Sequence, residues 1–151
     1  MNIEDLKKNF EKRANEDNAI QMAKYLRNQF VFYGLKSPAR RDAYHQILKD
    51  EKKQIDWDLL DQAWNDKHRE MQYFVCDYLL AMEKYVSYDD LFKIEHYVRT
   101  KQWWDTIDSL MKLYGYVGLK DQRVDQLMLD WSKDPDKWVR RVAIEHQLLR
   151  H

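Results

Sequence analysis

Only five positions in this 151-residue chain carry glycine or proline: Gly34, Gly115, Gly118, Pro38 and Pro135. So few turn formers point to long helices joined by short polar connections. The apolar residues agree, because they recur at helical spacing. Ile3, Leu6, Phe10 and Ala14 mark a first amphipathic helix, closed by Asn15-Glu16-Asp17-Asn18. A second is expected from about Ala19 to a stop at Gly34, with Met22, Ala23, Leu26 and Phe30 on its apolar side. Ser37-Pro38 reads as an N-cap followed by a proline at the first helical position, opening a helix to about Glu51. Asp56 or Trp57 begins the next, with Leu60 and Trp64 on one face, and a longer helix is expected from Lys67 to Tyr85. Ser87 caps a helix to Thr100, Gln102 opens another to about Tyr116, and Asp121 to Trp131 forms a further one. Asp134-Pro135 caps the last, which bears Trp138, Val142, Ile144 and Leu148. The pattern gives about nine helices and no strand.

From Asp56 onward, short-loop helix pairs recur at roughly 30-residue intervals, over 56–85, 87–116 and 121–150. The reading is an all-α fold in one domain, 1–151, of HEAT-like antiparallel helix pairs in a curved α-solenoid. The alternative is an ordinary globular all-α domain. A solenoid needs a polar cap, yet Gln147-Leu148-Leu149-Arg150-His151 still follows a helical pattern. Either the chain self-associates through this uncapped C-terminal pair, or it is the N-terminal part of a longer fold.

Several chemistries are set aside by what the chain lacks. Lysine plus arginine equals aspartate plus glutamate at 26 each, so a nucleic-acid partner must be argued from where the charges lie. Gly115-Tyr116-Val117-Gly118 has neither the lysine nor the strand of a phosphate loop. His45, His68, His96, His146 and His151 form no zinc motif, and Cys76, alone in an apolar helical face, reads as core. No serine sits in a nucleophile elbow. No metal or cofactor is expected. With one cysteine, no apolar leader and no run of membrane-spanning length, the expectation is a cytoplasmic protein without a membrane partner.

The most unusual stretch is Gln102-Trp103-Trp104-Asp105-Thr106-Ile107-Asp108-Ser109. On a helix Trp104 and Asp108 stand one turn apart, so a π face and a carboxylate share one side. That pairing suits a flat, cationic transition state. It also suits plain packing by the two tryptophans, with Asp108 paired to Lys112 one turn on. Basic residues cluster as Lys24, Arg27, Lys36, Arg40, Arg41, Lys49, Lys52 and Lys53. Arg40 and Arg41 fall in a first helical turn, where the macrodipole disfavours cations. Either an anion docks at that end, beside free N–H groups, or the pair is a solvated face. Arg140-Arg141, near the start of the last helix, is a second candidate.

Three segments carry a resemblance. Gln21-Met22-Ala23-Lys24-Tyr25 running on to Gly34, then Ser37-Pro38-Ala39-Arg40-Arg41, is similar to the N-terminal signature of the AlkD-like DNA alkylation repair glycosylases. Trp103-Trp104-Asp105-Thr106-Ile107-Asp108-Ser109 resembles that family's most recognisable motif. Trp138-Val139-Arg140-Arg141-Val142-Ala143-Ile144 with Gln147-Leu148 resembles its third. The segments occur in family order across nearly the whole chain.

The resemblance implies HEAT-like repeats and excision of cationic N3- and N7-alkylated purines from duplex DNA, held in a concave basic groove without base flipping. It implies a catalytic role for Asp108 and Trp104, a DNA-backbone contact at Arg141, and Tyr25 lining the same site. Trp103, about 100° away round the helix, would be the packing member of the pair. Family members run on for several more helices bearing a second active-site tryptophan, so a shortened chain with a partly built groove is expected. Two further functions stand beside the glycosylase: a non-catalytic DNA-binding module and a helical protein-interaction scaffold.

Overall fold

The computed structural model describes residues 2–50 and 54–147, and all of its regular elements are helices. Among the described residues there are nine α-helices, two short 3-10 turns (Glu83–Tyr85 and Tyr88–Asp90) and no strand. Glu51, Lys52, Lys53, Leu148, Leu149, Arg150 and His151, used in the sequence reading, lie outside the described residues. The helices gather into two compact units, Met1–Val75 and Cys76–His151.

In the first unit, α1 (Ile3–Arg13) starts from a capping box in which Asn2 and Asp5 satisfy each other's backbone N–H groups. It buries Leu6 and Phe10, one turn apart, and packs on α3 (Ser37–Lys49) and α4 (Trp57–Asn65). Phe10 meets the Tyr44 ring edge-on at 6.0 Å. Asp56 caps α4, its side chain accepting from the Leu59 N–H. The boundary of α3 differs by one residue from its expected start. Lys36 is the N-cap and makes no side-chain capping bond, Ser37 is the first helical residue, and proline stands at the second helical position.

The larger difference is α2, which spans Glu16–Tyr25 and is capped by Asn15, so the polar Asn15–Asn18 stretch starts this helix instead of ending the first. It does not run to Gly34. Arg27 and Asn28 turn left-handed at φ 58° and 56°, and the Asn28 N–H closes onto the Ala23 carbonyl at 2.7 Å. The chain then extends. Val31 forms an isolated parallel bridge with His68, and the Arg69 N–H donates to the Val31 carbonyl at 2.8 Å.

The reason lies 36 residues away from Gly34. Glu70 is fully buried, and its carboxylate accepts the N–H groups of Tyr33 (2.9 Å), Gly34 (2.9 Å) and Leu35 (3.0 Å). A carboxylate with three donors is satisfied without a cation, and it outbids helical hydrogen bonding for this stretch. Gly34 sits at φ 98°, and a Cβ there would stand 1.9 Å from the Asn15 carbonyl oxygen. Glycine is therefore required at the loop's closest approach to α2.

The helix α5 (Arg69–Ala81) is shorter than expected, ceding its last residues to the 3-10 turn at Glu83–Tyr85. In the second unit, Ser87 and Asp90 form a capping box ahead of α6 (Leu91–Arg99). At 17 residues, α7 (Trp104–Lys120) is the longest helix among those described, and it packs on α6, α8 (Arg123–Trp131) and α9 (Lys137–Glu145). It buries Ile107, Leu110, Met111, Leu113, Tyr114 and Val117, and the Tyr114 hydroxyl donates to the Leu91 carbonyl at 3.1 Å. Arg99 closes the end of α6, holding Glu95 at 2.7 Å and Asp134, before α9, at 2.8 Å. Asp136, not Asp134, caps α9, its side chain accepting from Trp138 and Val139.

Candidate active site

The tryptophan stretch enters α7 as an extended N-cap, Trp103 at φ −163°, followed by Trp104 as the first helical residue. Trp103 is half-buried with its ring 5.7 Å from that of Trp138 on α9. Trp104 is 41% exposed, and Asp108 is half-buried one turn further on. Opposite them, Thr106, Ile107 and Leu110 anchor α7 in the core.

The register between α7 and α9 is fixed by a polar tie at their entrances. The Gln102 side-chain amide donates to the Val98 carbonyl at 3.0 Å and to the Asp136 carboxylate at 2.7 Å. The other oxygen of the same carboxylate caps α9. Counting from this tie, Asp108 and Arg141 each lie about one and a half turns into their helices, a rise of about 8 Å on both. They meet in a fork. Arg141 Nε donates to Asp108 Oδ1 at 2.8 Å and Nη2 to Oδ2 at 3.0 Å. This two-point geometry aims the carboxylate as well as neutralising it. Asp108 in turn holds the Arg141 proton more firmly than an isolated guanidinium would, with a smaller contribution from Glu145. Glu145, one turn beyond Arg141 on α9, approaches the same Nε at 3.3 Å.

The local pairing of Asp108 with Lys112 is thus displaced by a partner 33 residues away. Glu145 is not among the candidates read from the sequence, although its position four residues after Arg141 was a usable signal. Arg140 turns back onto its own loop, its Nη1 donating to the Asp134 and Pro135 carbonyls at 2.8 and 3.0 Å. Beside the fork lies a hollow of about 440 Å³ lined by Lys137, Trp138, Arg140, Arg141, Ile144 and Glu145.

The remaining candidates belong to the first unit. Tyr25, the last residue of α2, is 76% exposed. Arg41 is exposed, as are Lys24, Lys36 and Lys49. Arg40 is different. It is buried, donates from Nε to the Tyr44 hydroxyl at 3.0 Å, and lays its guanidinium 4.7 Å over the Tyr73 ring. The two arginines of that first turn therefore diverge, one into the core and one toward water. Cys76 is buried. No three His, Cys, Asp or Glu side chains among the described residues gather as a metal site, and no helix there is long and apolar enough to cross a membrane.

A family model described as DNA alkylation repair enzyme matches residues 6–151, and the chain belongs to that family. The fold is similar to that of a solved structure described as a predicted DNA alkylation repair enzyme from Enterococcus faecalis. The TM-score is 0.80 at 27% identity, over 90% of this chain and 66% of that one. No curated protein matches the chain.

Proposed function

We propose that this chain is a DNA glycosylase that hydrolyses the N-glycosidic bond of cationic N3- and N7-alkylated purines in duplex DNA, without flipping the base. The observation that carries the reading is the fork between Asp108 and Arg141, one turn from an exposed tryptophan face. An alkylated purine already bears the positive charge that a leaving base needs. It departs with the bonding pair as a neutral molecule, so no general acid is required. The sugar left behind develops oxocarbenium character at C1′. The Asp108 carboxylate stabilises that charge, and the Trp104 ring does so through its π face. Water adds to C1′ and gives up a proton to solvent, with Asp108 orienting the attack.

Arg141 serves two ends. It keeps the Asp108 carboxylate aimed, and its Nη1, which donates to no described residue, remains for a phosphate oxygen. Exposed cations such as Arg41 and Lys36 add backbone contacts that carry no sequence preference. Arg40, turned into the core, supports the α3 entrance and is not counted among them.

The test is release of N7-methylguanine from methylated duplex by this chain. Release above the spontaneous rate is expected. Duplex binding without release would support instead a module that reads the DNA backbone, and no binding at low salt would overturn a nucleic-acid role altogether.

A further inference from the structure

The two carboxylates on Arg141 are not equivalent, and only one belongs to the motif that marks the site. Asp108 takes the Nε and Nη2 edge of the guanidinium at 2.8 and 3.0 Å. Glu145 stands 3.3 Å from the same Nε, whose single hydrogen Asp108 already holds, so it confines the guanidinium by contact as well as by charge and not through a second full hydrogen bond. Its position is otherwise unfavourable. It is the last residue of α9, where the macrodipole disfavours an anion, and it follows its cation in the weaker order of an i,i+4 pair. The side chains of Arg141 and Glu145 are 38% and 31% exposed, so the pair is screened and contributes little to folding.

We infer that Glu145 is a positioning residue: with Asp108 it pins the Nε side of Arg141 to the protein and leaves Nη1, which donates to no described residue, for a DNA phosphate. A guanidinium on a flexible stem must otherwise be ordered as the phosphate arrives, and that cost falls on the bound complex. Two carboxylates on one side remove the alternatives beforehand. They also set up an opposition. The Glu145 charge repels the phosphate that its pinning helps to bind, so deleting the side chain and deleting only its charge should have different effects. The inference rests on the function proposed above only where it concerns DNA.

The experiment compares Glu145→Gln with Glu145→Ala by three readouts. The first is the Arg141 Nε–H resonance in DNA-free protein. The second is affinity for an undamaged duplex, and the third is single-turnover release from a methylated duplex. Glu145→Gln, which keeps shape and an acceptor oxygen, should hold the resonance sharp, bind duplex as tightly as the parent or more so, and release base at nearly the parental rate. Glu145→Ala should broaden the resonance and bind duplex several-fold more weakly than Glu145→Gln, with melting temperature unchanged. A resonance equally sharp in both variants, or equal losses in both, overturns the inference. If the parent releases no base, the glycosylase reading fails while the resonance and binding readouts still decide the role of Glu145.

Discussion

Asp108 is the residue on which the chemistry is proposed to turn, and its variants separate rate from binding. Asp108→Asn keeps the shape of the fork but removes the charge proposed to stabilise the transition state. Excision should fall by roughly a hundredfold or more while duplex affinity stays within a few-fold. Arg141→Ala should weaken binding first, and Trp104→Ala should damage both. Release and binding measured on one methylated duplex test the set, and full excision by Asp108→Asn would leave the assignment wrong. Glu70 makes the equivalent structural case. Its carboxylate satisfies three backbone N–H groups, at Tyr33, Gly34 and Leu35. Glu70→Ala should cost at least about 3 kcal/mol, because each buried donor left unsatisfied costs about 1–3 kcal/mol. Urea unfolding measures it, and a loss under about 1 kcal/mol would mean that water replaces the carboxylate.

At the level of elements, the sequence showed helix existence far better than helix ends. Leu6 with Phe10 and Leu60 with Trp64 mark their faces by spacing alone, and those faces are buried. The failure at α2 has a specific cause. Leu26 and Phe30 continue a helical period, but the donors beyond them are claimed by Glu70, which no local pattern can announce. The left-handed turn at Arg27 and Asn28 carries no glycine to betray it. Asn28→Gly should therefore stabilise the chain by up to about 1 kcal/mol, whereas Gly34→Ala should cost about 2 kcal/mol or more, since its Cβ meets backbone. Thermal unfolding of the two variants checks the opposite signs. The Arg99–Asp134 pair tying α6 to the start of α9 gives a pH dependence. The Arg99 hydrogen bond, and then the Asp136 N–H, hold the Asp134 carboxyl below its ordinary range. Its contribution is complete above the unfolded-state carboxylate value of about 4 and is lost as pH falls through the lower folded value. Stability should decline from about pH 4 downward, and Asp134→Asn should flatten that decline in a melting series.

For the whole molecule, net charge is silent, with 26 cations balancing 26 anions, so DNA binding must come from local arrangement. The proposed contacts number a handful. Neutralising about four phosphates would lower affinity on the order of a hundredfold between 50 and 200 mM salt, and a salt-insensitive affinity would argue against backbone contacts. The family was legible because the short strings around Trp104, Asp108 and Arg141 resemble its motifs. Their association was not, because Asp108 and Arg141 meet through two helices whose register is set by Gln102 and Asp136. Asp136 serves α9 and the α7 entrance with one carboxylate, and this makes the site self-policing. A molecule in which α9 has come undone loses the tie and the arginine together. On the function proposed above, what it would then present to DNA is Asp108 as a bare anion facing a polyanion. Such a molecule would be turned away from the duplex before it could occupy a lesion, so damaged copies of the protein would not compete with intact ones for damaged DNA.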